Sequence, residues 1–273
     1  VSLTVTTLFL NILFGVLFIK IFGNNFLSWL YSFVISNILI YFIAFLFFKY
    51  YYEKTSKHEY LYDKKIFKFS SQILLTNIFA WFIYDGSKLI GEKFFEKSEL
   101  GILLLGMALS AQIFSTIESF INQLILPSLY QNMASKNLEE KYLKFKNYFK
   151  IIIPVFLFLL LISVIASDLI LSILIDESKI NKLLKDIFII GLFIELIKTF
   201  TNSIKNIFYV KLQPRIITLS YLFGAIVLLF LIFLNHKTIN IYSFIMYILF
   251  GYVTSFCTLF TYTIKSSYKW LNQ

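Results

Sequence analysis

Residues 216–234 read IITLSYLFGAIVLLFLIFL and hold no charged side chain. A helix needs about 20 mostly apolar residues to cross a hydrocarbon core of roughly 30 Å, so this run is long enough to span a bilayer. Reading outward from it in the same unit finds seven more such segments, at approximately 3–22, 26–48, 69–91, 101–126, 151–175, 187–209 and 241–264. The expected fold is therefore all-α, a polytopic transmembrane helix bundle of about eight spans.

Composition agrees. The 273 residues are 59% hydrophobic and only 15% charged, whereas soluble domains carry about 25% charged residues. Mean hydropathy is +0.78. The abundance of Phe, Ile, Lys, Asn and Tyr is also what an AT-rich genome encodes, and of the basic residues only Arg215 is not lysine. A formal charge of +10 raises the question of nucleic acid, but a basic patch needs a water-facing surface to display it. Here the lysines sit between apolar blocks, so no nucleic-acid partner is expected. Cys257 is the single cysteine, and His58 and His236 are the only histidines, which leaves neither a disulfide framework nor a metal cluster in view.

The placement of positive charge tests the span count independently. Alternate connections hold Lys49, Lys54, Lys57, Lys64, Lys65 and Lys68, then Lys136, Lys141, Lys144, Lys146 and Lys150, then Lys205, Lys211 and Arg215, then Lys265 and Lys269. The intervening connections hold only Lys88, Lys93, Lys97, Lys179, Lys182, Lys185 and Lys237, interleaved with acids such as Glu92, Glu96, Asp176 and Asp186. Cytoplasmic loops carry the excess of Lys and Arg, so both chain ends are expected in the cytoplasm. The run from Val1 enters apolar sequence with no basic flank and no cleavage site, unlike a signal peptide. Truncation is the reading adopted over a non-standard start codon. In the basic segment 132–150, Leu138, Tyr142, Phe145 and Phe149 share one helical face. It reads either as a helix lying at the membrane surface or as a solvated extension of the next span.

Polar residues inside the spans mark the candidate site. Glu195, Lys198, Asn202, Lys205 and Tyr209 recur at spacings of three and four and form one stripe on the sixth span. Gln112, Ser115, Ser119, Asn122 and Gln123 form a row on the fourth, with Glu118 beside it, and Asp85 and Lys88 close the third. Amides and hydroxyls commonly serve as glue between helices, and that reading suits the serines and Gln112. Ionisable groups at membrane depth are costly and usually face a wet interior, which suits Asp85, Glu118, Glu195 and Lys198. Lys205 and Lys20 are also placed to snorkel toward headgroups. Pro127, Pro154 and Pro214 fall at expected span boundaries, so no helix broken at mid-membrane is expected.

Several classes of activity lack their residues. No Asp-x-Asp or Glu-x-Asp pair occurs in the short outer connections, as a membrane glycosyltransferase would need. No span contains a histidine to act as the general base of an acyltransferase. No glycine-rich phosphate loop ending in Lys-Ser/Thr is present, and an outer loop rich in arginine, expected of a polymerase, is missing. The chain is expected not to be an enzyme.

The order of elements over 77–130 carries a resemblance. Trp81 and Asp85 come near the end of a span, then Ile90-Gly91, a short acidic link, Glu99-Leu100-Gly101-Ile102, and the exit Leu126-Pro127-Ser128-Leu129-Tyr130, followed by a basic amphipathic segment. This resembles the second-lobe entry of the polysaccharide flippases, a branch of the multidrug/oligosaccharidyl-lipid/polysaccharide exporter superfamily. The resemblance implies twelve spans in two six-helix lobes. Residues 1–48 would then be the last two spans of a first lobe, 49–68 a basic cytoplasmic connector and 69–273 the second lobe. It also implies a multi-pass protein of the bacterial cytoplasmic membrane that flips a lipid-linked (polyprenyl diphosphate) oligosaccharide. Asp85, Lys88, Gln112, Glu118, Asn122, Glu195, Lys198, Asn202 and Lys205 would line the substrate cavity. Lys198 and Lys205 would attract the diphosphate, while the acids would set the field or couple to H+ or Na+; no other cofactor is expected. Membrane lipids and other glycan-assembly proteins are the remaining expected partners. The alternatives are a drug or metabolite cation antiporter of the same superfamily, and a non-transporting membrane enzyme or scaffold of glycan assembly.

Overall fold

The computed structural model describes residues 2–23, 26–55, 64–133, 138–176, 180–211 and 213–271. The connector residues 56–63, with Lys57 and His58, lie outside the described residues, as do Lys136 and Lys179. No strand occurs among those described. The helices are α1 (Ser2–Phe22), α2 (Phe26–Thr55), α3 (Lys64–Trp81), a π-helical turn (Phe82–Gly86), α4 (Ser87–Gly91), α5 (Lys97–Met133), α6 (Leu138–Ile165), α7 (Ser167–Leu174), α8 (Lys182–Val210), α9 (Pro214–Leu234) and α10 (Ile241–Leu271). Taken with their continuations, α3–π–α4 and α6–α7, these make eight helical rods, one for each span read from the sequence.

Surface composition shows the solvent for which the fold is built. Phe233 is 76% exposed, Ile165 75% and Phe158 64%, and large apolar side chains cover the outside of every rod. A soluble monomer rarely displays apolar patches of that extent. The rods spanning 67–91, 97–127, 145–165, 214–234 and 241–265 are long and apolar enough to cross a membrane, and Leu10–Phe22 and Tyr31–Leu46 are shorter apolar helices. The protein is a multi-pass membrane protein. α8 is not among those five rods; it is the inner helix, whose residues pack against α5, α6, α7, α9 and α10.

The chain divides into two compact units, residues 1–62 and 63–273. The first is the α1–α2 pair. Gly23, at φ +81°, turns the chain between them, a conformation that glycine adopts without a Cβ penalty. The Ser32 hydroxyl donates to the Asn11 carbonyl of α1 at 2.7 Å, and Ser28 and Ser36 are buried on the same face of α2.

In the second unit α8 is shared by two apolar clusters. Ile187, Ile194, Ile204 and Phe208 join the π turn, α9 and α10 through Ile83, Tyr221, Leu228, Phe244 and Tyr252. Phe188, Leu192, Leu196 and Ile207 join α5 and α6 through Phe114, Tyr148, Ile152 and Phe156. Lipid tails are as apolar as leucine, so such contacts hold by close packing rather than by escape from water. Small residues permit it. A Cβ on Gly224 would fall on the Ser255 hydroxyl and 2.5 Å from the Gly251 carbonyl, so α9 and α10 cross nearly backbone to backbone. Ile83 lies against both glycines.

One open reading is decided and two expectations change. Residues from Leu138 onward form one helix with the following span, so the segment before the fifth span is its extension, and no separate surface helix is present among the described residues. Phe145 is buried and Phe149 half-buried, while the side chains of Leu138 and Tyr142 lie outside the described residues. Pro127 and Pro154 sit inside α5 and α6 rather than at their ends. Each is exposed. The fifth span breaks instead at Ala166 (φ −90°, ψ 16°). Finally, the third span does have an irregular turn within it, the π turn at Phe82–Gly86.

Candidate functional site

The site grows from the π turn. Gly86 ends this turn under two rings: a Cβ there would stand 3.2 Å from both the Phe82 and the Trp81 rings. Such turns insert one extra residue into a helix and often lie at functional sites. This one places Tyr84 toward α5 and α8. The Tyr84 hydroxyl donates to the Met107 carbonyl at 3.2 Å and feels the Glu195 carboxylate.

Two ammonium groups stack on the Tyr84 ring. Lys88 Nζ lies 3.9 Å from its centroid and Lys198 Nζ 4.3 Å. Each is also held by a carboxylate three residues earlier on its own helix. Lys88 donates to Asp85 Oδ1 at 2.9 Å. Lys198 donates to Glu195 Oε1 and Oε2 at 3.0 and 2.9 Å. Cation–π contact is stronger away from water, and the Glu195 side chain is only 2% exposed. Asp85, at 52%, faces outward, so the pair on the third span is the accessible one.

Glu118 on α5 is held differently. Its Oε1 accepts from Asn202 Nδ2 at 3.0 Å and its Oε2 from the Thr199 hydroxyl at 3.3 Å. Asn202 Oδ1 in turn accepts from Lys205 Nζ at 3.0 Å. The Asn202 amide thus bridges a carboxylate and an ammonium, its donor toward one and its acceptor toward the other, as the chemistry of the two ends requires. Among the described residues no ammonium lies within ion-pair distance of Glu118. Lys205 also faces the Tyr209 ring at 5.8 Å.

A neutral tier lies alongside. The Tyr148 hydroxyl of α6 donates to Asn122 Oδ1 at 3.3 Å and accepts from Asn206 Nδ2 at 3.4 Å, tying α5, α6 and α8 together. The structure therefore brings Asp85, Lys88, Glu118, Asn122, Glu195, Lys198, Asn202 and Lys205 onto one connected region around α8. Gln112 stays out of it. It is exposed and bonds within its own helix, to Thr116 at 3.4 Å. Ser115, Ser119 and Gln123 are exposed on α5 as well. Sequence reading missed Tyr84, Tyr148, Thr199 and Asn206; the last two lie on the α8 stripe at spacings of three and four from residues already chosen. Among the described residues no group of three His, Cys, Asp or Glu side chains gathers to hold a metal ion.

A family model described as polysaccharide biosynthesis protein matches residues 2–179. The chain belongs to that polysaccharide biosynthesis protein family. The matched stretch covers the π turn and α5, with Asp85, Lys88, Gln112, Glu118 and Asn122, while the stripe on α8 lies beyond it. No curated protein and no solved structure matches the chain.

Proposed function

We propose that the protein moves a lipid-linked oligosaccharide across the bacterial cytoplasmic membrane during polysaccharide biosynthesis. The observation that carries this reading is the balanced charge ladder that α8 forms with the third span and α5. Three ammonium groups and three carboxylates sit among apolar helices, and charge at membrane depth is retained where it lines a path for polar cargo. Lys198 and Lys205 supply donors to a diphosphate, which accepts charge-assisted hydrogen bonds readily. The exposed amides and hydroxyls of Gln112, Ser115, Ser119 and Gln123 supply partners for sugar hydroxyls. Rocking of helices about the site, with the π turn as the deformable element, would expose it to each side in turn. Both chain ends lie in the cytoplasm in this reading, as the lysine distribution requires.

The test is glycan display in cells whose only copy carries Lys198→Ala and Lys205→Ala together. The reading expects surface polysaccharide to be lost while the protein remains in the membrane at normal level. Normal display at normal protein level would contradict the roles given to these lysines.

A further inference from the structure

The charges of the site cancel. Asp85, Glu118 and Glu195 face Lys88, Lys198 and Lys205, and two of the three pairs are direct ion pairs. The third is indirect: Glu118 and Lys205 meet only through Asn202. An anion entering a neutral region of low dielectric must bring or recruit positive charge, because an uncompensated buried charge is costly. Lys205 is the ladder ammonium that no carboxylate holds directly among the described residues, so it is the group an entering phosphate takes most cheaply. Once it does, Glu118 keeps the neutral donors Asn202 and Thr199 and the Lys198 ammonium, which Glu195 already neutralises, while the negative charge of the phosphate is added beside it.

We propose that Glu118 takes up a proton from bulk water when a diphosphate engages Lys205, so that anion and proton occupy the site together. The inference rests on the functional reading above. α8 presents Lys198, Thr199, Asn202, Lys205 and Tyr209 to this region. α6 presents Tyr148 through Asn122, and α9 presents Tyr221, whose phenol feels Glu118. The third span presents Tyr84 and Lys88 through Lys198. No other carboxylate serves as well. Glu195 is bonded through both oxygens to Lys198, and Asp85 is half exposed, where water screens it.

The experiment is isothermal titration of farnesyl diphosphate into the detergent-solubilised full chain, at neutral pH, in Hepes and in Tris. The difference in heat between the buffers counts protons exchanged on binding. We expect net uptake of about one proton per ligand, with affinity falling as pH rises, by up to about tenfold per unit. The uptake should vanish in Glu118→Gln and persist in Glu118→Asp. Binding without proton uptake, uptake unchanged in Glu118→Gln, or binding that requires sodium in place of the proton would each overturn the proposal while leaving the diphosphate reading intact. Absence of binding would overturn both. If Glu118→Gln does not fold, the pH dependence of the unaltered protein decides, since pH-independent affinity contradicts the linkage.

Discussion

Glu195 and Lys198 set the terms at the scale of single residues. The pair is legible in sequence because i, i+3 spacing places both on one helical face, and the same holds for Asp85 and Lys88. Glu118 is another matter. It acts through Thr199 and Asn202, 81 and 84 positions away, and nothing local announces a partner at that distance. Gln112 shows the same limit. It lies about 120° around α5 from Glu118, so it belongs to the exposed face of the helix that carries the site. Tyr84 was missed because an aromatic in an apolar run looks like packing; its role comes from two lysines that converge on it only in the folded chain. A swap tests the energetics of the inner pair. Lys198→Met should cost about 3 kcal/mol, near the low end for breaking a buried pair because Lys198 is part exposed, and adding Glu195→Gln should recover most of it. Thermal unfolding in detergent measures both, and a double variant no more stable than the single one would show that the pair is not a unit.

Among the elements, α8 and the π turn matter most. The rods themselves are legible because length and apolarity mark a helix able to cross a bilayer; the described residues form eight rods, five of them long and apolar enough to span. The π turn was not, because no proline or glycine pair marks Phe82–Gly86 in the sequence. The prolines misled for the opposite reason: α5 and α6 continue through Pro127 and Pro154 instead of ending there. Glycine substitutions separate crowded positions from open ones. Gly224→Ala should destabilise by about 1–3 kcal/mol through overpacking against Ser255 and Gly251. Gly101→Ala, with nothing within 4 Å of the new methyl, should stabilise α5 by about 0.5–1 kcal/mol. Melting temperatures of the two variants should therefore move in opposite directions, and a shared direction would contradict the close crossing of α9 and α10.

For the whole molecule, the claim is a bundle of fixed orientation that carries an anionic lipid-linked glycan past a neutral ladder of charges. Orientation has its own test. In a Cys257→Ser background, Lys237→Cys should react with a membrane-impermeant thiol reagent on intact cells, and Lys150→Cys only after permeabilisation; the reverse pattern would invert the topology. The charge asymmetry that predicts this was readable without the structure, because it is a property of the connections and not of the packing. Transport itself is tested most directly by following the cargo. Membrane vesicles of known orientation, loaded on the cytoplasmic leaflet with a lipid-linked oligosaccharide, are sampled with an impermeant lectin that reads the opposite leaflet. The account predicts that glycan appears on that leaflet when the protein is present and does not when Lys198 and Lys205 are both alanine. Equal appearance in both cases, or none with the unaltered protein, would contradict it.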